Sequence, residues 1–422
     1  MKKQQTPTAY KLTILHQLFK HIPPHLVPEL ARKTGVDDQS RTFSPWSHVV
    51  SMGYAQLSHC VSLNDVCDSL RAHSGPLSAI RGATPPSRNN LSHANKIRDA
   101  AMAENLFWAV LEHLGKQSPG FVSGKAGKRF LRKFKRKVHA VDSTTIQLIA
   151  SCMDWAKHRR WKAAAKCHLR LDLQSFLPAF AIIDTARESD AKRAREICAG
   201  VRDGEIVIFD KAYVDFGHLW DLDRRGIVWV TRAKENLQFE VVESLPVPDG
   251  GMVVADELVG LKNADSRGRY PEVMRRVTAW VEVDGRQQLM TFLTNQLSWS
   301  PETIVELYRC RWQIEVFFKQ MKQTLQLGDF IGTSANAVRW QVWIALLVYL
   351  LLRYMAYLSC WGQSFSRLFG IVRLSLWSKW HLLSLLQSYG TGGGHFGYLC
   401  QPEQAYLPGF GWDAVGQPVK LA

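Results

Sequence analysis

Two aspartates stand at the ends of predicted core strands. Asp142 lies within the run VHAVDSTT, and Asp210 ends the run EIVIFD. Loops beyond strand ends are where α/β sheets build their sites, and an ionised carboxylate beside a buried strand is costly unless it is paired or binds a metal. Taken singly, each aspartate is as compatible with capping the next turn as with catalysis.

A third acid lies late in the chain, in the segment YRCRWQIEVFFKQMK at residues 308–322, which has the spacing of an amphipathic helix. At about 100° per residue, four polar side chains fall on one face within an arc of roughly 60°. They are Tyr308, Arg311, Glu315 and Lys322. A surface ladder of ion pairs is the alternative explanation of this face.

The elements that must position these acids begin at Val138. Short apolar runs there read as three strands, a helix, a strand, a helix and a strand. This order predicts an α/β fold with a mixed sheet of the ribonuclease-H type, in which the first and fourth strands are neighbours. Asp142 is on the first strand and Asp210 on the fourth. Topology therefore favours this pair over the other strand-associated aspartates, Asp172 and Asp184.

Three carboxylates close together repel one another in a low-dielectric cleft, and divalent cations relieve that repulsion. Oxygen ligands without Cys or His favour Mg²⁺ or Mn²⁺ over zinc. Two such ions would activate water or a 3′-hydroxyl and stabilise the leaving oxygen of a phosphoryl displacement. We therefore predict that the three acids hold two metal ions. Arg311 and Lys322 would bind DNA phosphates beside them, and Tyr308 would donate a hydrogen bond to one.

The composition also points to nucleic acid. Lys and Arg number 53 against 37 Asp and Glu, a net charge of +16, and contacts of Lys and Arg with phosphates supply most non-specific affinity for DNA. Eight of the fourteen residues at 124–137 are basic and none is acidic. Such a run is often a flexible tail, but this one leads into a strand, so we favour a phosphate-contacting segment. Its candidate contacts are Lys128, Arg129, Arg132, Lys133, Lys135 and Arg136.

Other classes of protein are disfavoured. The eight cysteines form no C-x-x-C pair, which argues against a zinc knuckle or a disulfide framework. The N-terminus lacks the apolar region of a signal peptide. The most apolar segment, residues 342–358, is interrupted by Arg353 and is short for a membrane span. We interpret it as a buried helix and expect no membrane partner.

Four regions follow from these patterns. Helical spacing over residues 1–115 predicts an all-α accessory or DNA-binding domain, and residues 116–137 form the basic linker. Residues 138–330 are the predicted catalytic domain, with a β-rich insertion at about 236–297. Residues 331–422 are predicted to be a helical C-terminal region.

This arrangement resembles the DDE transposases of bacterial insertion sequences, specifically the insertion-sequence-four (IS-four) type. The resemblance lies in the pattern Y-x2-R-x3-E-x6-K, which the four residues of the helix face match, and in the runs AVDSTTIQL and IFDKAYVDF around the two aspartates. It covers roughly residues 135–330. Lys211 and Ala212 depart from the Arg-Gly pair that often follows the second aspartate in this family.

The resemblance implies a reaction and its partners. A homodimer would synapse two ends of an element, hydrolyse double-stranded DNA at the terminal inverted repeats with Mg²⁺, form hairpins at the excised ends and transfer a 3′-hydroxyl into target DNA. The protein would act in the bacterial cytoplasm, associated with the nucleoid.

The resemblance also implies residue roles. Asp142, Asp210 and Glu315 match the metal-binding triad, and the other three signature residues match positions that contact DNA. Family members stack a flipped base on a Trp of the insertion, and Trp280 and Trp299 are the candidates here. A buried structural Trp is the alternative for either.

Two rival functions are also compatible with these sequence patterns. One is a catalytically silent DNA-binding protein, such as a transposition inhibitor or a domesticated transposase. The other is a structure-specific nuclease with the same core, which would cut DNA without joining it. An intact triad argues against the silent protein, because a binding module does not need three acids held together.

Overall fold

The structure is a computed structural model. It describes residues 7–36, 42–124, 129–148, 157–159, 162–185, 190–247, 250–283, 285–327 and 331–389. The described residues divide into two compact units. The first draws on Met1–Ala126, Thr145–Ala165 and Phe318–Leu399, and the second on Gly127–Thr144 and Lys166–Phe317.

The strands of the described residues are β1 (Val138–Leu148), β2 (Lys157–Arg159), β3 (Lys162–Asp172), β4 (Leu177–Thr185), β5 (Ile206–Phe209), β6 (Val228–Arg232), β7 (Phe239–Ser244), β8 (Val253–Leu261), β9 (Met274–Val283) and β10 (Arg286–Thr294). The short β2 pairs with the start of β3 in the first unit. The other strands follow the order β4-β3-β1-β5-β6-β10-β9-β8-β7.

The α-helices are α1 (Ile14–Phe19), α2 (Leu26–Lys33), α3 (Pro45–Ser58), α4 (Leu63–Ala72), α5 (Ser74–Ser78), α6 (Arg88–Ile97), α7 (Ala101–Gln117), α8 (Pro119–Val122), α9 (Asp190–Ile197), α10 (Phe216–Arg224), α11 (Ala264–Arg269), α12 (Pro301–Cys310), α13 (Trp312–Lys319), α14 (Ala335–Leu358), α15 (Phe365–Leu374) and α16 (Leu382–Tyr389). A 3₁₀ turn over Leu131–Lys133 precedes β1.

The centre of the second unit is a parallel strand pair. β1 pairs with β5 from Val138↔Ile206 to Val141↔Phe209, and β5 pairs in parallel with β6. The residues of β5 are all buried, as expected for an unbroken apolar run covered on both faces. The predicted α/β fold with a mixed sheet of the ribonuclease-H type is confirmed, and the first and fourth predicted strands are neighbours. The very short, basic β2 was not predicted.

Helices and loops cover this sheet around one hydrophobic cluster. Phe209, Tyr213, Leu219, Trp229 and Tyr270 are buried members of it, contributed by strands, by α10, by the turn after β5 and by the residue that follows α11. Such aromatic side chains bury large areas and carry much of the hydrophobic stabilisation. The cluster therefore holds β5 and the turn that follows it on a rigid base.

The β-rich insertion is part of the same sheet. β10 pairs antiparallel with β6 through Phe292↔Arg232 and the two following residue pairs, and β9, β8 and β7 continue the antiparallel order outwards. The predicted β-rich insertion is confirmed, and the pairing shows that it extends the catalytic sheet.

The first unit is mainly helical. Its longest helix, α14, packs against α3, α6 and α7, with ring centroids of Trp343 and Phe107 5.7 Å apart and those of Trp340 and His48 4.3 Å apart. Among the described residues α14 alone is long and apolar enough to cross a membrane, but 89% of its most apolar window is buried. The interpretation of residues 342–358 as a buried helix is confirmed, and even Arg353 is buried.

A buried ion pair on the insertion gives a stability prediction. Arg275 on β9 donates from Nε and Nη2 to Asp256 Oδ1 and Oδ2 on β8, at 2.7 and 2.6 Å, and both side chains are almost fully buried. Asp256→Ala leaves this charge without its partner, so we expect a loss of about 3–5 kcal/mol in the free energy of unfolding. Urea unfolding followed by tryptophan fluorescence measures it.

The matched control is Asp265→Ala, because the ion pair of Asp265 with Arg269 is exposed. Exposed pairs contribute about 0–1 kcal/mol. Equal losses from the two substitutions would contradict the assignment of Asp256 as a buried structural partner.

Candidate active site

The parallel pairing of β1 and β5 puts two carboxylates next to each other. Val141 pairs with Phe209 as the last residue pair between β1 and β5, and Asp142 and Asp210 are the next residues. Asp210 directly follows the end of β5, but the expectation that Asp142 ends its strand is wrong, because β1 continues to Leu148. Both carboxylates still lie where the parallel pairing of β1 with β5 stops, which is where α/β sheets build their sites. The backbone N–H of Ser143 donates to Asp142 Oδ1 at 2.7 Å and orients that carboxylate.

The third acid comes from a helical segment whose start is defined by the sequence. The Ser300 side chain caps α12 by accepting from the Thr303 N–H, and Pro301 occupies the first turn. α12 ends at Cys310 and α13 begins at Trp312. Glu315 lies in the first turn of α13, where a carboxylate is favoured by the helix dipole.

The prediction of one regular α-helix over residues 308–322 is wrong in two places. At Arg311 the backbone makes bonds of the i→i−3 type, from Arg311 N to Tyr308 O and from Ile314 N to Arg311 O, which tighten the helix. Residues 320–324 form a π-helical turn. Because a π turn contains more residues than an α turn, the angular position assigned to Lys322 does not hold. Lys322 is exposed and belongs to the first unit.

Arg311 links two of the acids. Its Nη1 donates to Asp142 Oδ2 at 3.0 Å and its Nη2 donates to Glu315 Oε1 at 2.7 Å. The Tyr308 hydroxyl lies 3.5 Å from Asp210 Oδ1, at the long limit of a hydrogen bond. The Arg311 guanidinium lies 5.7 Å from the centre of the Tyr308 ring. The structure thus brings five of the six predicted signature residues and aspartates into one site.

The electrostatics show that the acids sense one another. Burial raises the pKa of Asp142 to about 6, the charges of Asp210 and Glu315 add to the rise, and Arg311 and the Ser143 N–H oppose it. Burial also raises the pKa of Glu315, against the effect of Arg311, and the charge of Asp210 raises it further. A negative charge on one acid therefore disfavours ionisation of the others.

Tyr308 and Arg311 stay protonated at neutral pH. Burial raises the pKa of Tyr308 to about 12. Burial alone would lower the pKa of Arg311, but Tyr308, Glu315, Asp142 and Asp210 together raise it. The site therefore keeps one phenol and one guanidinium as hydrogen-bond donors beside its carboxylates.

The chemistry of the donor set fits a hard divalent cation, since all three acids offer oxygen and their charges are coupled. Within the described residues, no three His, Cys, Asp or Glu side chains are already gathered as a metal site. The positive charge among these carboxylates is supplied by Arg311. The oxygen donors of the three acids suit a divalent metal. For such a metal to bind, the contacts of Arg311 with Asp142 and Glu315 would have to change.

Arg232 is a basic residue near this site that the sequence patterns did not single out. Phe209 pairs with Thr231, so Arg232 follows on the neighbouring strand just as Asp210 follows on β5. Its charge lowers the pKa of Tyr308, which places it within electrostatic range. Its position at the end of a predicted strand could have indicated this role, because β6 is another parallel strand that ends at the same edge.

The predicted basic segment lies on the surface of the second unit. Arg129, Arg132, Lys133, Lys135 and Arg136 are exposed, while Lys128 lies outside the described residues. Gln174 holds the segment's backbone by donating to carbonyl groups at Leu131, Phe134 and Arg136. The exposed charges therefore sit on an ordered backbone.

The two tryptophan candidates have different surroundings. Trp280 on β9 is 47% exposed and lines a groove of about 690 Å³ with Met252, Gln287 and Arg309. Trp299 is partly buried, its ring 5.4 Å from that of Phe134. Trp280 thus has a face available for a base, while Trp299 packs against the basic segment.

Fold and site together define a ribonuclease-H-like enzyme. Residues 133–351 match the family described as "Transposase DDE domain", just over half of the chain, and the chain belongs to this family. Residues 10–80 match a family described as a domain of unknown function (DUF4372).

Curated relatives agree with this membership. A transposase of Sinorhizobium fredii is 29% identical over 323 residues, which cover 76% of this chain and 85% of that protein. A transposase for insertion sequence element IS5377 of Geobacillus stearothermophilus is 28% identical, covering 54% of this chain and 59% of its own length. Transposase InsG for element IS4 of Escherichia coli is 27% identical, covering 44% and 42%. The predicted resemblance to IS-four-type DDE transposases is confirmed.

The protein is therefore a transposase, an enzyme that catalyses DNA transposition. Membership of the DDE family also means that it binds DNA and depends on a divalent metal.

The raised pKa of Asp142 gives a pH prediction. Between its ordinary value of 3.8 and about 6, the folded protein holds a proton that the unfolded chain has lost, so this group makes folding less favourable as pH rises through that window. Asp142→Asn removes the titration. Without divalent cations, we expect the variant's stability relative to wild type to increase by about 1–3 kcal/mol from pH 4 to pH 7.

Urea unfolding in EDTA at a series of pH values measures this difference. The control is Asp68→Asn, since the Asp68 side chain is 74% exposed. If the free energies of unfolding of Asp142→Asn and wild type differ by the same amount at every pH, Asp142 is not in the buried environment described.

Proposed function

We propose that this transposase cuts double-stranded DNA at the terminal inverted repeats of its element and joins the released 3′-hydroxyl to target DNA, with hairpin ends formed in between. The triad Asp142, Asp210 and Glu315 would carry the chemistry. The single observation that supports this most is the register of β1 and β5, which makes Asp142 and Asp210 neighbours, together with the Arg311 contact that ties Glu315 to Asp142.

The three acids would hold Mg²⁺, or Mn²⁺, as two ions. When bound, the metal would activate water or a 3′-hydroxyl and stabilise the leaving oxygen of phosphoryl transfer. Asp142 and Asp210 extend from rigid strands, and Glu315 from a capped helical segment. Sites placed on such elements hold catalytic groups more precisely than loops do.

The donors of the site would bind the scissile region of the DNA. Arg311 has the planar fork that matches a phosphate group, and the protonated Tyr308 hydroxyl can donate to another phosphate oxygen. Arg232 at the end of β6 adds charge at the same edge. Lys322 remains a proposed phosphate contact.

The wider surface would bind the flanking duplex. The basic linker presents exposed cations from an anchored backbone, which suits sequence-independent contact with phosphates. We place residues 1–115 as a helical accessory or DNA-binding domain and 138–330 as the catalytic domain. Two copies would synapse two DNA ends as a homodimer, in the bacterial cytoplasm at the nucleoid.

Alanine substitutions of the triad test the central role. Asp142→Ala, Asp210→Ala and Glu315→Ala should each lower Mg²⁺-dependent cleavage of labelled DNA carrying the element's terminal repeats by roughly 10³-fold or more, because a site lacking one ligand loses its metal chemistry. Binding of the same DNA, measured in EDTA so that bound metal does not contribute, should change less than about threefold, since phosphate contacts supply most affinity. Gel assays and filter binding measure the two effects.

The control is Glu306→Ala, an acid on α12 paired with the exposed Arg309, and it should cleave as wild type does. Lost binding with retained cleavage in the Glu315 variant would overturn the assignment. With wild-type protein, cleavage plus joined product supports the transposase reaction. Cleavage without joining would favour the structure-specific nuclease, and binding alone would favour the silent DNA-binding protein.

Trp280 is the proposed base-stacking residue, because its ring is exposed beside a groove and Trp299 is packed. Stacking on an aromatic side chain contributes about 1–3 kcal/mol per base. Trp280→Ala should therefore weaken binding of a hairpin-ended duplex with one unpaired base by about tenfold, without changing the affinity for a fully paired duplex. Fluorescence of 2-aminopurine at the unpaired position reports the stacking directly.

The comparison variant is Trp299→Ala, which removes the contact with Phe134. It should lower stability without discriminating between the two duplexes. Equal effects of Trp280→Ala on both duplexes, or a selective effect of Trp299→Ala, would contradict this proposal.

A further inference from the structure

Arg311 has both arms of its guanidinium committed to acids of the proposed triad. One arm reaches Asp142, 169 positions away in sequence, and the other reaches Glu315 one helical turn on. The Arg311 side chain is only 15% exposed. This residue therefore acts as the internal counter-ion of two carboxylates.

A divalent cation that takes Asp142 and Glu315 as ligands would approach the oxygens that now accept from Arg311. Both cations would then share one pair of carboxylates in a largely buried site, where charges are weakly screened. The carboxylates cannot satisfy both cations equally well. Metal binding is therefore in competition with the present Arg311 contacts.

A DNA phosphate offers Arg311 another partner. The guanidinium donates two parallel hydrogen bonds to a phosphate as readily as to a carboxylate. When Arg311 turns its donors to a phosphate, Asp142 and Glu315 lose their counter-ion. A divalent cation can then bind these carboxylates without competition from the guanidinium. DNA and metal thus favour the same rearrangement, which makes their binding free energies coupled and reciprocal.

We propose that Arg311 is a positioning residue that couples metal binding to DNA binding, so that the triad takes up its metal strongly only when a DNA phosphate has drawn the guanidinium away. This inference rests on the proposed function, because it takes Asp142 and Glu315 as metal ligands. It also explains why the site would bind its metal only weakly until the DNA substrate is present.

The alternative is a purely structural ion pair that fastens the helical segment to β1. The two roles make opposite predictions for metal affinity. Removing a competing cation should strengthen metal binding, whereas removing a structural support should leave it unchanged or weaken it while lowering stability. Metal affinity measured without turnover therefore separates them.

The experiment uses the full chain and Mn²⁺, whose unbound signal in electron paramagnetic resonance gives the dissociation constant directly. Titrations are made with and without a short blunt-ended DNA duplex, and Mn²⁺ bound by the duplex alone is subtracted. For wild type, saturating duplex should lower the Mn²⁺ dissociation constant by about tenfold, within the usual range of coupling between sites.

Arg311→Gln should bind Mn²⁺ about tenfold more tightly than wild type without DNA, and the duplex should then change its affinity by less than about threefold. Arg311→Lys keeps the charge but cannot make two separate donations through a planar fork, so its coupling should be intermediate. The matched control is Arg269→Gln on α11, whose ion pair with Asp265 is exposed, and it should behave as wild type.

Thermal melting of each variant shows whether it is folded. If Arg311→Gln does not fold, the Arg311→Lys titration decides, and coupling equal to wild type there overturns the proposal. For a folded Arg311→Gln, unchanged or weaker Mn²⁺ binding without DNA also overturns it.

The Glu315→Gln variant distinguishes a failure of this proposal from a failure of the proposed function on which it rests. If wild type binds no Mn²⁺ with or without duplex, or Glu315→Gln binds it as tightly as wild type, the triad is not the metal site and the proposed function fails. If Glu315→Gln loses Mn²⁺ but Arg311→Gln shows no gain, the triad stands and only the coupling role of Arg311 is wrong.

Discussion

Carboxylates repel one another when they are held together away from water, and this repulsion is the constraint around which the catalytic unit is organised. Burial and the charges of Asp210 and Glu315 act together to raise the pKa of Asp142. Such a cluster costs stability unless positive charge is supplied to it. The chain supplies it from within, through the two donations of Arg311. Under the proposed function, a divalent metal would supply it during the reaction.

The rest of the unit holds these charges in place. Apolar strands fix Asp142 and Asp210 at one edge, and the aromatic cluster beneath them resists movement of that edge. The insertion continues the sheet through β10 and therefore gives Trp280 a rigid platform. Phe292, on the strand that joins the insertion to β6, packs against Tyr308 with the two ring centroids 4.8 Å apart. The insertion and the site are thus linked by direct packing, and a change in one will affect the other.

The strands and the two aspartates could be predicted from sequence, because buried parallel strands carry unbroken runs of Val, Ile and Phe and their ends are marked by polar residues. Glu315 could be chosen through its spacing from Tyr308 and Arg311. The joining of the insertion to β6 could not be foreseen, since no local signal says which edge an antiparallel strand will pair with.

The irregularities of the helical segment at 308–324 could not be predicted from the sequence either. Over a single turn, a sequence pattern is too short to distinguish backbone bonds to the third, fourth or fifth preceding residue. Neither the tightening at Arg311 nor the π turn at 320–324 could therefore be predicted. The position of Lys322 was misjudged for that reason. Arg232 follows the same rule as the acids, because a basic residue at the end of a neighbouring parallel strand lies at the same edge of the sheet.

Anomalous scattering from a crystal of the protein with Mn²⁺ and a DNA end duplex tests the central claim most directly. Manganese peaks within ligand distance of Asp142, Asp210 and Glu315, with Arg311 on a phosphate, are the predicted result. Manganese bound elsewhere, or Arg311 still donating to both Asp142 and Glu315 beside bound DNA, would contradict the account.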